Sequence, residues 1–253
     1  MIVMAADYVG YHIVKFLCSR NEKIEIFVYD SADRGNYNER MIDMVKSLEQ
    51  NTTVYAYEEL KDPELLQSIR DLAIDFGVLA WWPYIIPKAI IQLTKRGFAN
   101  THPGYLPYNR GKHPSFWSIV EGTPFGVTLH YVDQEIDNGP IIAQKEIPIT
   151  WLDTGETLYN QAREEMLSLF YDSFDRIKEN SVKISPQSKA SGSFHLGKEL
   201  EPASVIDIDK EYSAKTLLNI IRGRVFNGQG SANFTDGGKQ YFITISIRTD
   251  DKS

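Results

Sequence analysis

The stretch Ile74-Asp75-Phe76-Gly77-Val78-Leu79-Ala80, then Trp81-Trp82-Pro83, then Pro87 to Lys95 and Gly97-Phe98-Ala99-Asn100-Thr101, decides the fold. Ile74 to Ala80 is a short apolar run that a proline soon stops, the mark of a buried strand. Pro87 stands where a helix begins, because a first turn leaves its missing N–H unused anyway. Gly97 to Thr101 is a second apolar strand. Strand, helix and strand in one short span predict neighbours in a parallel sheet.

The same rhythm runs back to the N-terminus. Ile2 to Ala6 is a strand, and Tyr8 to Arg20 shows helical spacing through Val9, Ile13, Phe16 and Leu17. Ile24 to Tyr29 is a strand, Asp30 to Glu39 a polar loop, and Met41 to Gln50 a helix. Thr53 to Tyr57 and Pro63 to Leu72 add another strand and helix. The fold class is therefore α/β, a doubly wound, mostly parallel, Rossmann-like sheet. Ligands of such sheets bind outside the carboxyl ends of the strands. Ala6-Asp7-Tyr8, Trp81 to Pro83 and Asn100 to His102 all lie there.

Towards the C-terminus, Pro114 to Val120 is a helix. Gly126 to Asp133 alternates Val127, Leu129 and Tyr131, and pairs with Pro140 to Ile149 as an antiparallel extension. Asp153-Thr154 caps a long helix whose Leu158, Ala162, Met166, Phe170 and Phe174 form a core stripe at steps of four. From about residue 182 the chain loosens through Ser185-Pro186-Gln187-Ser188 and Ser191-Gly192-Ser193. A helix follows at about 213 to 222, with Arg222 and Arg224 expected on a solvated helix face. Ala232 to Arg248 is a hairpin turning at Asp236-Gly237-Gly238, with Tyr241, Ile243 and Ile245 on one face. A lone hairpin is barely stable, so this one must pack on the main domain or on another subunit.

Composition narrows the function classes. The net charge of -7 over 253 residues argues against nucleic acid as a partner, because such binding neutralises phosphates with a basic face. One cysteine, Cys18, cannot form an internal disulfide, and this fits a cytoplasmic setting. The five histidines show no HExxH spacing, so no metal is expected. No apolar run approaches membrane-spanning length, so no membrane partner is expected either. No G-x-G-x-x-G follows Ile2 to Ala6 and no P-loop occurs, which counts against a domain that only binds nucleotide.

The chemistry lies between residues 100 and 140. Asn100 and His102 occupy alternate positions of a strand end and so point the same way. The loop Pro103-Gly104-Tyr105-Leu106-Pro107-Tyr108-Asn109-Arg110-Gly111 follows, and Ile136-Asp137-Asn138-Gly139 forms a second tight turn. An amide, an imidazole and a carboxylate around one crevice can handle a carbonyl that becomes an oxyanion. Acyl-type transfer is the expected reaction class. Arg110 and Lys112, flanking Gly111, suit a small phosphorylated substrate.

With these motifs in order, the sequence resembles the formyltransferases that use N10-formyltetrahydrofolate. The likeness is strongest from Ile74 to Ile149. The string Leu106-Pro107-Tyr108-Asn109-Arg110-Gly111-Lys112-His113-Pro114-Ser115-Phe116-Trp117 is most similar to bacterial sugar-nucleotide N-formyltransferases. By this resemblance the catalytic trio falls on Asn100, His102 and Asp137. The folate is the formyl-donating cosubstrate, with Trp82, Tyr84, Ile86, Gln134 and Ile136 around its pterin. One of Trp81 and Trp82 is expected to wall the pterin and the other to serve the core. Tyr105, Tyr108, Asn109, Arg110 and Lys112 are substrate contacts, with Tyr105, Tyr108 and Trp117 also weighed as packing residues. His113 and His130 are structural, and His195 has no assigned role. The implied acceptor is a nucleotide-linked amino sugar for surface polysaccharide such as lipopolysaccharide O-antigen. A homodimer is expected, because the C-terminal hairpin needs something to cover its apolar face. Residues 1–182 would form the catalytic domain and 183–253 an extension for packing or dimerisation. One departure is the first strand-helix turn, Met4 to Gly10, which has no glycine at its tightest point. The alternatives are a formyltetrahydrofolate hydrolase or a formyltransferase acting on another small phosphorylated amine. A tRNA formyltransferase would be expected to bring a larger C-terminal domain and a basic face.

Overall fold

The computed structural model describes residues 1–33, 35–48, 51–188, 192–226 and 231–250. Strands β1 (Ile2–Ala5), β2 (Ile26–Tyr29), β3 (Thr53–Ala56), β4 (Gly77–Ala80) and β5 (Phe98–His102) alternate with helices α1 (Asp7–Ser19), α2 (Asn38–Ser47), α3 (Pro63–Asp71) and the short α4 (Lys88–Ile91). A two-residue strand, β6 (Arg110–Gly111), and helix α5 (Pro114–Glu121) precede β7 (Gly126–Tyr131), β8 (Ile141–Glu146) and the long α6 (Gly155–Lys178). The chain continues through β9 (Phe194–His195), α7 (Leu200–Ala203), α8 (Ala214–Gly223), β10 (Ala232–Asp236) and β11 (Lys239–Ile243).

Seven strands form one sheet in the order β3-β2-β1-β4-β5-β7-β8. The first five are parallel and β7 runs antiparallel to β5, as the sequence predicts. β1 and β4 are buried along their whole length, which is why they read as continuous apolar runs rather than alternating ones. Ile2, Met4, Ile26, Val28, Leu79 and Phe98 meet Ile69, Ile86 and Ile90 in one core cluster. The predicted stripe of α6 holds, since Leu158, Ala162, Met166, Phe170 and Phe174 are all fully buried.

Two compact units interleave along the chain. Met1–His102, Thr128–Gln144 and Arg163–Gln187 form the first, and Pro103–Val127, Lys145–Ala162 and Ser188–Ser253 the second.

The turn out of β1 resolves without a glycine. Asp7 adopts φ 58° there, a left-handed conformation that Asp and Asn tolerate better than most residues. Gly10, three residues on, is needed for a different reason. A Cβ on it would lie 2.9 Å from the Ala80 carbonyl, so its absence lets α1 sit close to β4.

Three expectations are corrected. The helix predicted from Pro87 to Lys95 is only α4, because the Lys95 and Arg96 amides donate to the Ile74 and Asp75 carbonyls (3.0 and 2.8 Å) and leave the helical ladder. The helix predicted from Met41 begins earlier, at Asn38, whose side chain donates to the Asp30 carbonyl at 2.6 Å. Its predicted end, Gln50, lies outside the described residues, as does Ser191. Arg222 and Arg224 are not on a solvated face but 6% and 5% exposed. Arg222 reaches the carbonyls of Thr150 and Asp153, and Arg224 reaches Ser204 and Glu201.

The C-terminal hairpin turns at Gly237 and Gly238, both at positive φ (54° and 76°), the geometry that two-residue hairpin turns require. Its ladder ends at Ile243, short of the predicted Arg248. Phe234, Ile243 and Ile245 pack on Ile206, Ile220, Ile221 and Ala232, while Phe242 is left 64% exposed. Among the described residues no helix is long and apolar enough to cross a membrane.

Candidate active site

The carboxyl ends of β1, β4 and β5 are neighbours in the parallel sheet, so the three loops expected to converge do lie at one edge. At the end of β5, side chains alternate. Thr101 turns to one face, where its hydroxyl donates to the Leu79 carbonyl (3.1 Å) and accepts from the Trp81 amide (2.7 Å). That pins the strand end to β4. Asn100 and His102 take the other face.

The antiparallel partner strand supplies the rest. Asn100 lies opposite His130, and His102 opposite Thr128. The loop after β7 carries Asp137 back to this face. Its Oδ2 is 3.4 Å from Nδ1 of His102, and its Oδ1 is 3.5 Å from Nε2 of His130. Both distances are longer than a tight N–H···O bond. Nδ2 of Asn100 is 3.0 Å from that same His130 nitrogen. Asn100, His102 and Asp137 are thus brought together, with His102 only 4% exposed.

The loop holding Asp137 is tightly built. Asp137 itself has φ 49°. Asp133 accepts from the Glu135 amide (2.9 Å) and from the Asn138 side chain (3.3 Å). Gln187 donates to the carbonyls of Asp137 and Gly139 (2.9 and 2.8 Å). A Cβ on Gly139 would meet the Tyr131 carbonyl at 1.8 Å, so only glycine allows the loop to return.

His130, expected to be structural, lies beside the trio. Its Nδ1 lies 2.9 Å from the Tyr131 carbonyl. That bond makes Nδ1 the donor and, in the neutral ring, leaves Nε2 as the acceptor for Asn100. The signal was in the sequence. If Val127, Leu129 and Tyr131 take one face of β7, Thr128 and His130 take the other, beside the trio. Gln187, far along the chain, carries no such signal.

The residues expected around a pterin divide. Trp82 and Ile86 belong to the core cluster, so their side chains are occupied by packing. Trp81 and Trp82 are equally buried, at 9% exposed each. Tyr84 stacks parallel on Tyr57 (5.5 Å, 4°) and donates to Asp30 at 2.9 Å. Gln134 is exposed and Ile136 half-buried on the Asp137 loop. Among the described residues no cluster of histidine, cysteine and carboxylates could hold a metal ion.

The second unit carries the loop expected to contact substrate. Tyr105, Tyr108 and Arg110 are half-buried and Lys112 is exposed. Arg110 and Gly111 form β6, which pairs with β9. Asn109 is corrected: its side chain is fully buried, donating to Ser118 (2.7 Å) and Thr123 (2.9 Å) and accepting from Ser193 (3.0 Å). It shapes the loop and has nothing left to offer a ligand. His195 stacks on Trp117 (3.8 Å, 7°) between Glu121 and Glu199, an arrangement that packs the β9 segment.

Comparison with known proteins agrees with this architecture. Residues 12–173 match the family model described as formyl transferase. The chain belongs to the formyltransferase family. Residues 199–249 of this formyltransferase also match the N-formyltransferase dimerization C-terminal domain. A dTDP-4-amino-4,6-dideoxyglucose formyltransferase of Mycobacterium tuberculosis is 32% identical over 163 residues, covering 64% of this chain and 68% of the relative. A methionyl-tRNA formyltransferase of Thermodesulfovibrio yellowstonii is 28% identical over 214 residues, covering 83% of this chain and 68% of that protein. In structure, the N-formyltransferase of Helicobacter canadensis, solved with folinic acid and dTDP-3-aminofucose, aligns with a TM-score of 0.71. It is 18% identical, covering 94% of this chain and 84% of the other.

Proposed function

We propose that this formyltransferase moves a formyl group from N10-formyltetrahydrofolate to the amine of a nucleotide-linked amino sugar. The pairing of His102 with Asp137 beside Asn100 carries this proposal, because it supplies what formyl transfer needs. The neutral amine attacks the formyl carbon, and a C–N bond forms as the carbonyl oxygen becomes an oxyanion. Asn100 and a protonated His102 donate hydrogen bonds to that oxygen. Asp137 orients the imidazole and favours its charged form. The bond to the folate nitrogen then breaks, and Asp137 helps relay the amine's proton to that nitrogen.

The dTDP-sugar name of the mycobacterial relative supports the acceptor class, and so does the dimerization-domain match at 199–249. The same match supports a catalytic part over residues 1–182, an extension over 183–253 and assembly as a homodimer. Surface polysaccharide synthesis in the cytoplasm is the setting such an acceptor implies. The tRNA formyltransferase relative is the specific competitor, and the net charge of -7 weighs against it.

The test is a panel of nucleotide-linked amino sugars incubated with N10-formyltetrahydrofolate and read by mass spectrometry. One member gaining a formyl group supports the proposal. Formylation of methionyl-tRNA alone, or formate release that ignores every acceptor, contradicts it.

A further inference from the structure

The second unit contains a crevice of about 450 Å³ that shares no residue with the trio. That size is in the range of small-molecule sites. Its walls mix polar and apolar surface, the apolar part coming from Ile119, Pro124, Phe125, Ile147 and Ile149.

The floor is polar and built on α8. Lys215, Asn219 and Arg222 fall at steps of four and three, so they share one helix face. All three line the crevice. Asn219 and Arg222 are 5% and 6% exposed. Nε of Arg222 donates to Oδ1 of Asn219 at 2.9 Å. Nη1 donates to the Thr150 and Asp153 carbonyls at 2.7 and 2.8 Å.

Those bonds leave two donors over. Among the described residues, Nη2 of Arg222 and Nδ2 of Asn219 meet no acceptor, and no carboxylate forms an ion pair with the guanidinium. The nearby Asp153 carboxylate is engaged by Thr150, Thr157 and Gln161. Burial pushes the Arg222 pKa down, only partly opposed by the charge of Asp153. A buried cation whose hydrogen bonds all go to uncharged oxygens is incompletely compensated, and an anion arriving at its remaining edge would correct that. Holding the 150–153 turn explains Nε and Nη1, but not the open edge or the space before it.

Two further groups shape the occupant. The Trp151 ring lies 4.9 Å from the guanidinium and is 47% exposed, a wall for a flat group. Lys215 adds a second cation at the rim, and among the described residues exposed Glu146 is the one carboxylate in the lining.

We propose that this crevice is a second binding site, for a small organic anion. Its carboxylate or phosphate sits on Arg222 and Asn219, and its flat apolar body lies against Trp151.

Calorimetric titration of the full-length protein with benzoate, phenyl phosphate, inorganic phosphate and phenol tests this. Saturable binding of one aromatic anion per chain is expected, with phenol at least about tenfold weaker. Preference for benzoate or for phenyl phosphate then names the acidic group. Arg222 also holds a turn, so its variants can fail to fold, and the exposed positions serve instead. Lys215→Glu and Trp151→Ala should each weaken binding several-fold, about three- to tenfold. Binding should persist in His102→Ala. Four results would overturn the proposal: no saturable binding by either aromatic anion, equal binding of phenol, indifference to both exposed variants, or loss of binding in His102→Ala. A crystal structure in which a second copy fills the crevice would overturn it too.

Discussion

The side-chain nitrogen of Asn100 lies 3.0 Å from Nε2 of His130, its cross-strand partner in the β5–β7 pair. Because Nδ1 of His130 is held by the Tyr131 carbonyl at 2.9 Å, the ring cannot turn away. His130 is thereby a positioning residue for the amide. We expect His130→Ala to lower kcat by about 10- to 100-fold, since small misplacements of a catalytic group have large effects. KM for the folate should change little. His130→Gln, which keeps an acceptor near Asn100, should recover part of the loss. An unchanged kcat in His130→Ala would remove the role.

Gly139 governs the return of the Asp137 loop. With a Cβ only 1.8 Å from the Tyr131 carbonyl, Gly139→Ala forces the backbone to move. A destabilisation of about 1–3 kcal/mol is expected, as for other overpacked sites. Activity should fall further than that loss accounts for, because Asp137 moves with the turn. Chemical denaturation alongside steady-state rates checks both, and full activity in a folded variant would contradict the geometry.

How much of this was legible follows from the residues. The parallel sheet was, because β1 and β4 are buried on both faces and read as unbroken apolar runs. Asn100 and His102 were as well, since strand periodicity alone puts them on one face. The end of α4 was not, because it depends on the Ile74 and Asp75 carbonyls capturing two amides about twenty residues away. The burial of Arg222 is illegible for a similar reason. Arg222 shares a polar helix face with Lys215 and Asn219, but the carbonyls that bury it come from residues 150 and 153. Long-range hydrogen bonds to backbone leave no trace in local spacing.

Asp153 gives a pH-dependent stability test. Burial pushes its carboxyl up, but hydrogen bonds from Thr150, Gln161 and Thr157 outweigh this and hold its pKa below the ordinary value. A lowered folded pKa contributes stability above the unfolded value of about 3.9 and loses it as pH falls through the folded one. Asp153→Asn should therefore destabilise by about 1–3 kcal/mol at neutral pH. The difference from the parent should shrink below about pH 4. A gap that stays constant with pH would refute the carboxylate's part.

Cys18 should be a slow thiol. Burial pushes its pKa up to about 11, so its thiolate fraction at pH 8 is on the order of 100-fold below that of an exposed cysteine. Alkylation by iodoacetamide should be slow in the native protein and fast in denaturant. Equal rates in both would show the thiol to be exposed.

The central claim is that Asn100, His102 and Asp137 perform the transfer. Its most direct test is the single-turnover rate of formyl transfer, at saturating folate and acceptor, in Asn100→Ala and His102→Ala against the parent. Losses of at least about 100-fold are predicted, the usual effect of removing one oxyanion donor, with folate binding retained. If both folded variants fall by less than about tenfold, the chemistry is done elsewhere.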